Sequence, residues 1–317
     1  AISLQGREKS VRKSSIRAYI GKYIRCSLVN YQLNDADEIR DDRTWQKSMP
    51  MLGITTEKES IHRDIESSKN DPAKQDELMA KTFNLPVNNY LSYFTNSEVY
   101  GNREKFDADM FVGTPENNVV VSMGIDLSAV NDICSVSFMK IDGEDRYFIN
   151  RKYMPRCRVE KLPKDQRDKY FEWETNGYLV LHDQDYNEQS YIFNDIQNFM
   201  AEHHILPIVI GYDDWSAGEI VSMFTQVYGD VCCNVTQTTK TFSQPMKVYK
   251  ELLGNGKIIF DDPVSTWNHM NVVVRMDAKG NIFPNKAKAK NKIDVFVSQL
   301  DAFVAFEKNR DSLVYYY

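Results

Sequence analysis

The residues with the clearest chemical potential are aspartates that close buried apolar runs. Val119-Val120-Val121 leads through Ser122 and Met123 into Gly124-Ile125-Asp126. This β-branched run is too short for a packed helix and reads as a buried strand that delivers one carboxylate at its carboxyl end. A second run, Ile205 to Ile210, closes the same way in Gly211-Tyr212-Asp213, with Asp214 next. Two such strands read as parallel neighbours whose acids meet where open α/β sheets bind ligands, beyond the carboxyl ends of the strands. Side chains alternate along a strand, so Asp213 and Asp214 point in opposite directions and one of them faces the site. Asp213 directly follows the apolar run and is nearest the strand end; Asp214 is the alternative. Lys292-Ile293-Asp294 opens an apolar helix that can bring in a third carboxylate. Each acid also has an ordinary structural role, as a turn residue or, for Asp294 with Asn291 as N-cap, as a helix-capping acid at the third helical position. Asp301 shares the helix face of Asp294 but lies about 10 Å further along at ~1.5 Å per residue. That is too far to share an ion at ligand distances of ~2.1 Å, so Asp301 is expected to support the site rather than join it. Convergent acids without a convergent base fit hard divalent cations bound by oxygen.

The elements that must hold these acids follow from the rest of the pattern. At 317 residues and 42% hydrophobic, the chain can build one large domain with an appendage. Residues 1–41 are basic and read as helical. Residues 42–112 read as a helical appendage, with Asp71-Pro72 a helix start. Residues 113–317 form the second expected domain. In it, runs 133–141 and 147–153 flank the turn Asp142-Gly143-Glu144-Asp145, a hairpin. Asp185 with Glu188 is expected to cap a helix carrying Ile192, Ile196, Phe199 and Met200. Ser216 with Glu219 is expected to cap another, which Gly229 ends. A short strand over 231–235 precedes a helix expected to start at Ser243, with Pro245 in its first turn, and to stop at Gly254. Asp262-Pro263 starts the next helix, residues 273–283 form a second hairpin, and the last helix runs from about 293 to 308. Three antiparallel strands followed by alternating helices and strands are the order of a ribonuclease H-like mixed sheet flanked by helices.

Charge and motif content narrow the partners. The net charge of −6 argues against a generic nucleic-acid binder. Local basic stretches nevertheless stand out. Lys286, Lys288, Lys290 and Lys292 lead straight into Asp294, and the stretch from Arg151 to Lys169 includes Arg156 and Arg158. These suit contact with a DNA backbone without reading its sequence. No phosphate loop, nucleophile elbow or His-x-x-x-His zinc pair occurs. The five cysteines have no Cys-x-x-Cys spacing, which fits a reducing compartment. No apolar run approaches the ~18 residues that span a bilayer, so no membrane partner is expected.

In their order, these segments resemble the large terminase subunit of tailed bacteriophages. The resemblance begins at Asp42-Arg43-Thr44-Trp45-Gln46-Lys47, Pro50 and Leu52-Gly53, and continues through Lys81-Thr82-Phe83-Asn84-Leu85. Gly124-Ile125-Asp126-Leu127-Ser128 and Tyr212-Asp213-Asp214-Trp215 are similar to the family's two acidic strands. Gln244-Pro245-Met246-Lys247, Gly256-Lys257-Ile258, Asp262-Pro263-Val264, Trp267, Asn271-Val272 and Lys292-Ile293-Asp294 complete the match over residues 42–306. The resemblance implies a two-metal endonuclease that cuts concatemeric double-stranded viral DNA in the host cytoplasm, with Asp126, Asp213 and Asp294 as metal ligands. It also implies the small terminase subunit and the portal as partners in the full assembly. The family often has proline where Asp214 stands, which leaves the choice between Asp213 and Asp214 open. Without a phosphate loop the chain looks like the nuclease half alone. Two other classes compete: a non-catalytic DNA- or partner-docking module, and an actin- or sugar-kinase-like ATPase, whose glycine-rich loop is missing after Asp126.

Overall fold

The computed structural model describes residues 33, 37–68, 72–85, 92–127, 132–213, 217–285 and 292–313. The chain divides into two units, residues 1–86 and 87–317. In the first, helices α1 (Lys58–Ser68) and α2 (Pro72–Lys81) accompany short 3-10 turns. Their core gathers on Trp45, whose ring lies 5.8 Å from Phe83 and 4.7 Å from His62 and whose indole N–H donates to the Ile39 carbonyl. The helix expected at Asp71-Pro72 is present from Pro72, while residues 1–32, expected to be helical, lie outside the described residues. The expected division after residue 112 falls inside the second unit. There, Phe94 packs among Tyr249 and Phe296 at 6.2 and 5.2 Å, and Asn102 donates to the Leu253 and Ile258 carbonyls.

The second unit opens with α3 (Asn96–Tyr100), capped by the Thr95 hydroxyl, and is built on a mixed sheet. Strands β1 (Val119–Asp126), β2 (Cys134–Asp142) and β3 (Asp145–Pro155) run antiparallel in turn. Helices α4 (Arg156–Val159) and α5 (Lys164–Thr175) lead to β4 (Val180–His182), which runs parallel to β3. Helix α6 (Gln189–His203) returns the chain to β5 (Ile205–Tyr212), parallel to β1. Then α7 (Gly218–Tyr228) leads to β6 (Cys232–Asn234), parallel to β5. The sheet order is β4-β3-β2-β1-β5-β6, and β7 (Ile258–Ile259) pairs with the other end of β3. Helices α8 (Thr239–Gly254) and α9 (Pro263–Met270) flank β7. The hairpin β8 (Val274–Met276) with β9 (Ile282–Pro284) precedes the long α10 (Asp294–Leu313).

Two apolar layers enclose the sheet. One face carries Ile125, Val136 and Phe138 against Ile192, Ile196 and Met200 of α6 and Ile220 and Phe224 of α7. The other packs Met139 and Phe148 against α8 and α10. Several helix starts differ from expectation. Helix α6 begins after Glu188 without a side-chain cap, so Asp185 plays no capping part. Helix α8 begins four residues earlier than Ser243, because the Thr238 hydroxyl accepts from the Thr241 N–H, and Pro245 lies inside the helix. Asp294 is the first residue of α10, since the Val297 N–H already bonds to the Ile293 carbonyl; it is not the third residue of a helix capped by Asn291. Ser216 and Asn291 lie outside the described residues. Gly229 ends α7 as expected, at φ +76°.

Candidate active site

The two Gly-x-Asp strand ends are direct neighbours. Gly124 pairs with Gly211 and Ile125 with Tyr212 in the parallel β1–β5 register, so one further step sets Asp126 opposite Asp213. Residues paired across a ladder project to the same side of the sheet, and residues two apart share that side. Both acids therefore belong to the face that carries Gly124 and Gly211, which is the face covered by α10.

The glycines explain the motif. A Cβ on Gly124 would stand 2.0 Å from the Ser298 carbonyl oxygen and 2.4 Å from the Ala302 nitrogen. One on Gly211 would stand 2.3 Å from the Asp301 carbonyl oxygen. Only hydrogen at these two positions lets the α10 backbone lie directly on β1 and β5. Each Gly-x-Asp thus encodes a helix seat and, two residues on, an acid just beyond it.

The same contact sets the level of Asp294. The Ser122 hydroxyl donates to the Ala302 carbonyl at 2.8 Å, and Ser298 lies over Gly124. Four helical residues advance about 6 Å and two strand residues about 6.6 Å. From Ala302 to Ser298 the helix thus runs toward the carboxyl end of β1, and Asp294 lies one turn further in that direction. Two further contacts support this placement. The Ser298 hydroxyl bonds at 2.8 Å to Ser135, the partner of Asp126 across β1–β2. Lys292 forms an ion pair with Asp132, which precedes β2. Asp126 and Asp294 are both buried, at 7% and 5% exposure, while Asp213 is half-buried. Asp301 is fully buried over β5, with the Gln237 amide nitrogen 3.4 Å from its carboxylate. Burial, helped by the nearby Asp294 charge, pushes the Tyr170 hydroxyl up from its ordinary range. Burial lowers Lys292, and Asp294 opposes that shift.

Beneath the acids runs a buried polar layer. Lys152, the cross-strand partner of Ser135, pairs with Asp262, which caps α9 through the Val264 N–H and accepts from the Ser265 hydroxyl. Burial depresses Lys152 and Asp262 counters it. Asn150 donates to Ser265 at 2.9 Å and accepts from Ser137 at 2.6 Å and from Gln299 at 3.1 Å. Asn268 completes the frame: its side-chain oxygen accepts from the Val295 N–H at 3.1 Å and so fixes the first turn of α10, where Asp294 sits. Sequence reading counted Lys152 with the basic surface of residues 151–169, whereas it is buried on Asp262, and it missed Asn268. The available signal was polar residues on apolar stripes, such as Ser298, Gln299 and Asp301 among Phe296, Leu300 and Phe303.

The remaining anticipated residues fall elsewhere. Arg156 pairs with Glu174 and lies 3.6 Å from Asp183, and Arg158 reaches the Asp185 carbonyl at 3.5 Å. Lys286, Lys288, Lys290 and Asp214 lie outside the described residues. As donors, the acids fit a hard cation in kind: all oxygen, and two of them buried at the sheet edge. Among the described residues, however, no three histidine, cysteine, aspartate or glutamate side chains stand close enough to hold one ion. No described helix is long and apolar enough to cross a membrane.

The family model of the terminase large subunit endonuclease domain matches residues 28–310. The chain belongs to that family. This terminase endonuclease domain is 26% identical to the terminase large subunit of Lactococcus phage p2 over 275 residues, covering 84% of the chain and 49% of the phage protein. It is 22% identical to YmfN of Escherichia coli K12 over 295 residues, covering 86% of the chain and 61% of that protein. The chain thus spans about half to three-fifths of the length of these relatives. The crystal structure of the HK97 bacteriophage large terminase matches 87% of the chain and 56% of its own length, at 20% identity and a TM-score of 0.56. The fold is the ribonuclease H-like one that the strand order anticipated: a mixed sheet flanked by helices.

Proposed function

We propose that this terminase domain is a divalent-metal-dependent endonuclease that hydrolyses phosphodiester bonds of concatemeric double-stranded viral DNA during genome packaging. In this reading Asp126, Asp213 and Asp294 are the metal ligands. The observation that carries it is the doubled Gly-x-Asp, which seats α10 on two parallel strands and leaves an acid beyond each seat. Two Mg²⁺ or Mn²⁺ ions held there would polarise the scissile phosphate and supply hydroxide at neutral pH. The chain's own residues do the positioning. Strand ends fix Asp126 and Asp213, Asn268 holds the turn that bears Asp294, and Asp301 stands buried over β5 beside the Gln237 amide. The small terminase subunit and the portal are partners of the whole assembly in this reading, and the host cytoplasm is its setting.

The test is Mn²⁺-dependent nicking of supercoiled plasmid by the parent chain and by Asp126→Ala, alongside calorimetry with Mn²⁺. Nicking by the parent and none by the variant is expected. Equal nicking would remove Asp126 from the site. Absence of both nicking and Mn²⁺ binding heat would favour a docking module.

A further inference from the structure

We infer that the groove between the first turns of α8 and the β8–β9 hairpin is a second contact surface for the sugar-phosphate backbone of duplex DNA. The groove encloses about 580 Å³, and Lys240 and Lys247 line it from the helix while Lys279 lines it from the hairpin turn. All three lysines are exposed, and among the described residues neither Lys240 nor Lys279 makes an ion pair. The single acid of the lining, Asp277, is exposed but tied to the hairpin tip: its carboxylate accepts from the Lys279 N–H at 2.8 Å and from the Asn281 N–H and side-chain amide, both at 2.9 Å. These bonds engage the one acid within the hairpin tip, and three lysines outnumber it along the lining. The groove is also a built junction of two elements. The Ser243 hydroxyl accepts from the Ile282 N–H at 3.1 Å, and Lys247 donates to the Gly280 carbonyl at 3.0 Å.

Its position matters as much as its charge. Helix α8 leaves the carboxyl end of β6, which runs parallel to β5, so its first turns start from the sheet edge that bears Asp126 and Asp213. The base of the hairpin, where the Asn285 N–H donates to the Val273 carbonyl at 2.7 Å, lies beside Asn271, whose side chain donates to the Lys292 carbonyl at 3.3 Å. A chain with net charge −6 thus concentrates unpaired lysines on the flank of its candidate active site. Cations spaced along an open groove suit a polyanion that extends beyond the acids, as a duplex backbone does, with no reading of base sequence. This places the backbone contact on residues that the sequence pattern did not mark. Meanwhile Arg156 and Lys292, which it did mark, are occupied by Glu174 and Asp132.

The inference rests on the nuclease reading only for the choice of DNA as partner, and binding without metal tests it separately. Affinity of the full chain for a short fluorescent duplex would be measured in chelator across a salt series, for the parent, Lys240→Ala/Lys279→Ala and Lys140→Ala. Lys140 lies near the opposite end of the sheet. The double variant is expected to bind about tenfold more weakly, with the slope of log affinity against log salt reduced by about 2, while Lys140→Ala follows the parent. Parent-like affinity and slope in the double variant would overturn the proposal, as would an equal loss in Lys140→Ala. The Lys240→Gln/Lys279→Gln pair serves if melting shows the alanine variant to be unfolded. Intact duplex binding with no plasmid nicking would sink the nuclease reading and leave this surface standing.

Discussion

Both ends of the sheet carry carboxylates, and the two ends differ in what those carboxylates can do. Near the amino end of β1, Asp107, Asp109 and Asp142 line a groove of about 550 Å³ together with Lys140. All three acids are exposed. Asp107 caps a short 3-10 turn by accepting from the Asp109 N–H at 3.0 Å, and Asp142 sits at a hairpin tip. At the carboxyl end, Asp126 and Asp294 are buried and borne by a central strand and a twenty-residue helix. Counting acids does not separate the two ends; burial and rigid support do. A carboxylate in water is already well solvated, whereas one held in a dry frame gains from a cation that neutralises it.

The largest expected effect tests this contrast directly. Asp126→Asn and Asp294→Asn should each lower Mn²⁺-dependent plasmid nicking by at least about 100-fold, because partners one step removed from metal ligands already cost about 10–100-fold. Asp109→Asn and Asp142→Asn should leave nicking within about twofold. Comparable losses at both ends would show that overall charge, not the buried edge, controls activity.

Next come the helix seats. Gly124→Ala places a methyl group 2.0 Å from a backbone oxygen and Gly211→Ala places one at 2.3 Å, so α10 must move off the sheet. Losses of about 3 kcal/mol or more are expected in denaturant unfolding, the upper end of overpacking costs. Gly218→Ala, at the first residue of α7 with nothing within 4 Å of the added carbon, should be neutral or stabilise by about 0.4–1 kcal/mol. A mild Gly124→Ala would mean that α10 tolerates a shift, and the alignment of Asp294 with Asp126 would lose its anchor.

Much of this was legible in the sequence, and the limits have physical causes. The strand ends were readable because a buried strand must be apolar to its last residue, so an abrupt Asp marks the edge. The hairpins at 142–145 and 277–281 were readable from their turn residues. The start of α8 was not, because Pro245 imitates a first-turn proline while the working cap is Thr238. The role of the two glycines was also hidden, since a glycine in a strand does not reveal what backbone approaches it. Asn268 and Lys152 were unreadable for a related reason: their partners, Val295 and Asp262, are 27 and 110 residues away in the chain.

The polar layer behind the acids offers a pH test of about the same size as the glycine effect. His269 is fully buried, with its Nδ1 2.8 Å from the Ser265 carbonyl and its Nε2 3.0 Å from the Tyr249 hydroxyl. Burial pulls its pKa down to about 4 from 6.5. Between those values the unfolded chain binds a proton that the folded chain refuses, so stability rises with pH across the window and falls as the pH drops through it. The loss on going from pH 6.5 to 4 should be about 3 kcal/mol from this residue. An NMR titration showing His269 protonated at pH 6 would mean that water reaches the layer, which would erase the distinction drawn between the two sheet ends.

The smallest expected effect concerns Asn268, and it separates stability from positioning. Asn268→Ala removes the acceptor for the Val295 N–H, leaving a buried donor unsatisfied at a cost of about 1–3 kcal/mol. Asn281, which ties the β8–β9 turn to the exposed Asp277, should cost less when replaced by alanine, since water can take over this surface bond. Nicking, compared at temperatures where both variants are folded, should fall in Asn268→Ala and hold in Asn281→Ala, because only the first loosens the turn that carries Asp294. Raising Mn²⁺ should recover part of the Asn268→Ala loss, since a misplaced ligand weakens ion affinity while leaving the other acids in place. A variant that melts earlier yet nicks at the parent rate at every Mn²⁺ concentration would show that Asn268 stabilises α10 without orienting Asp294.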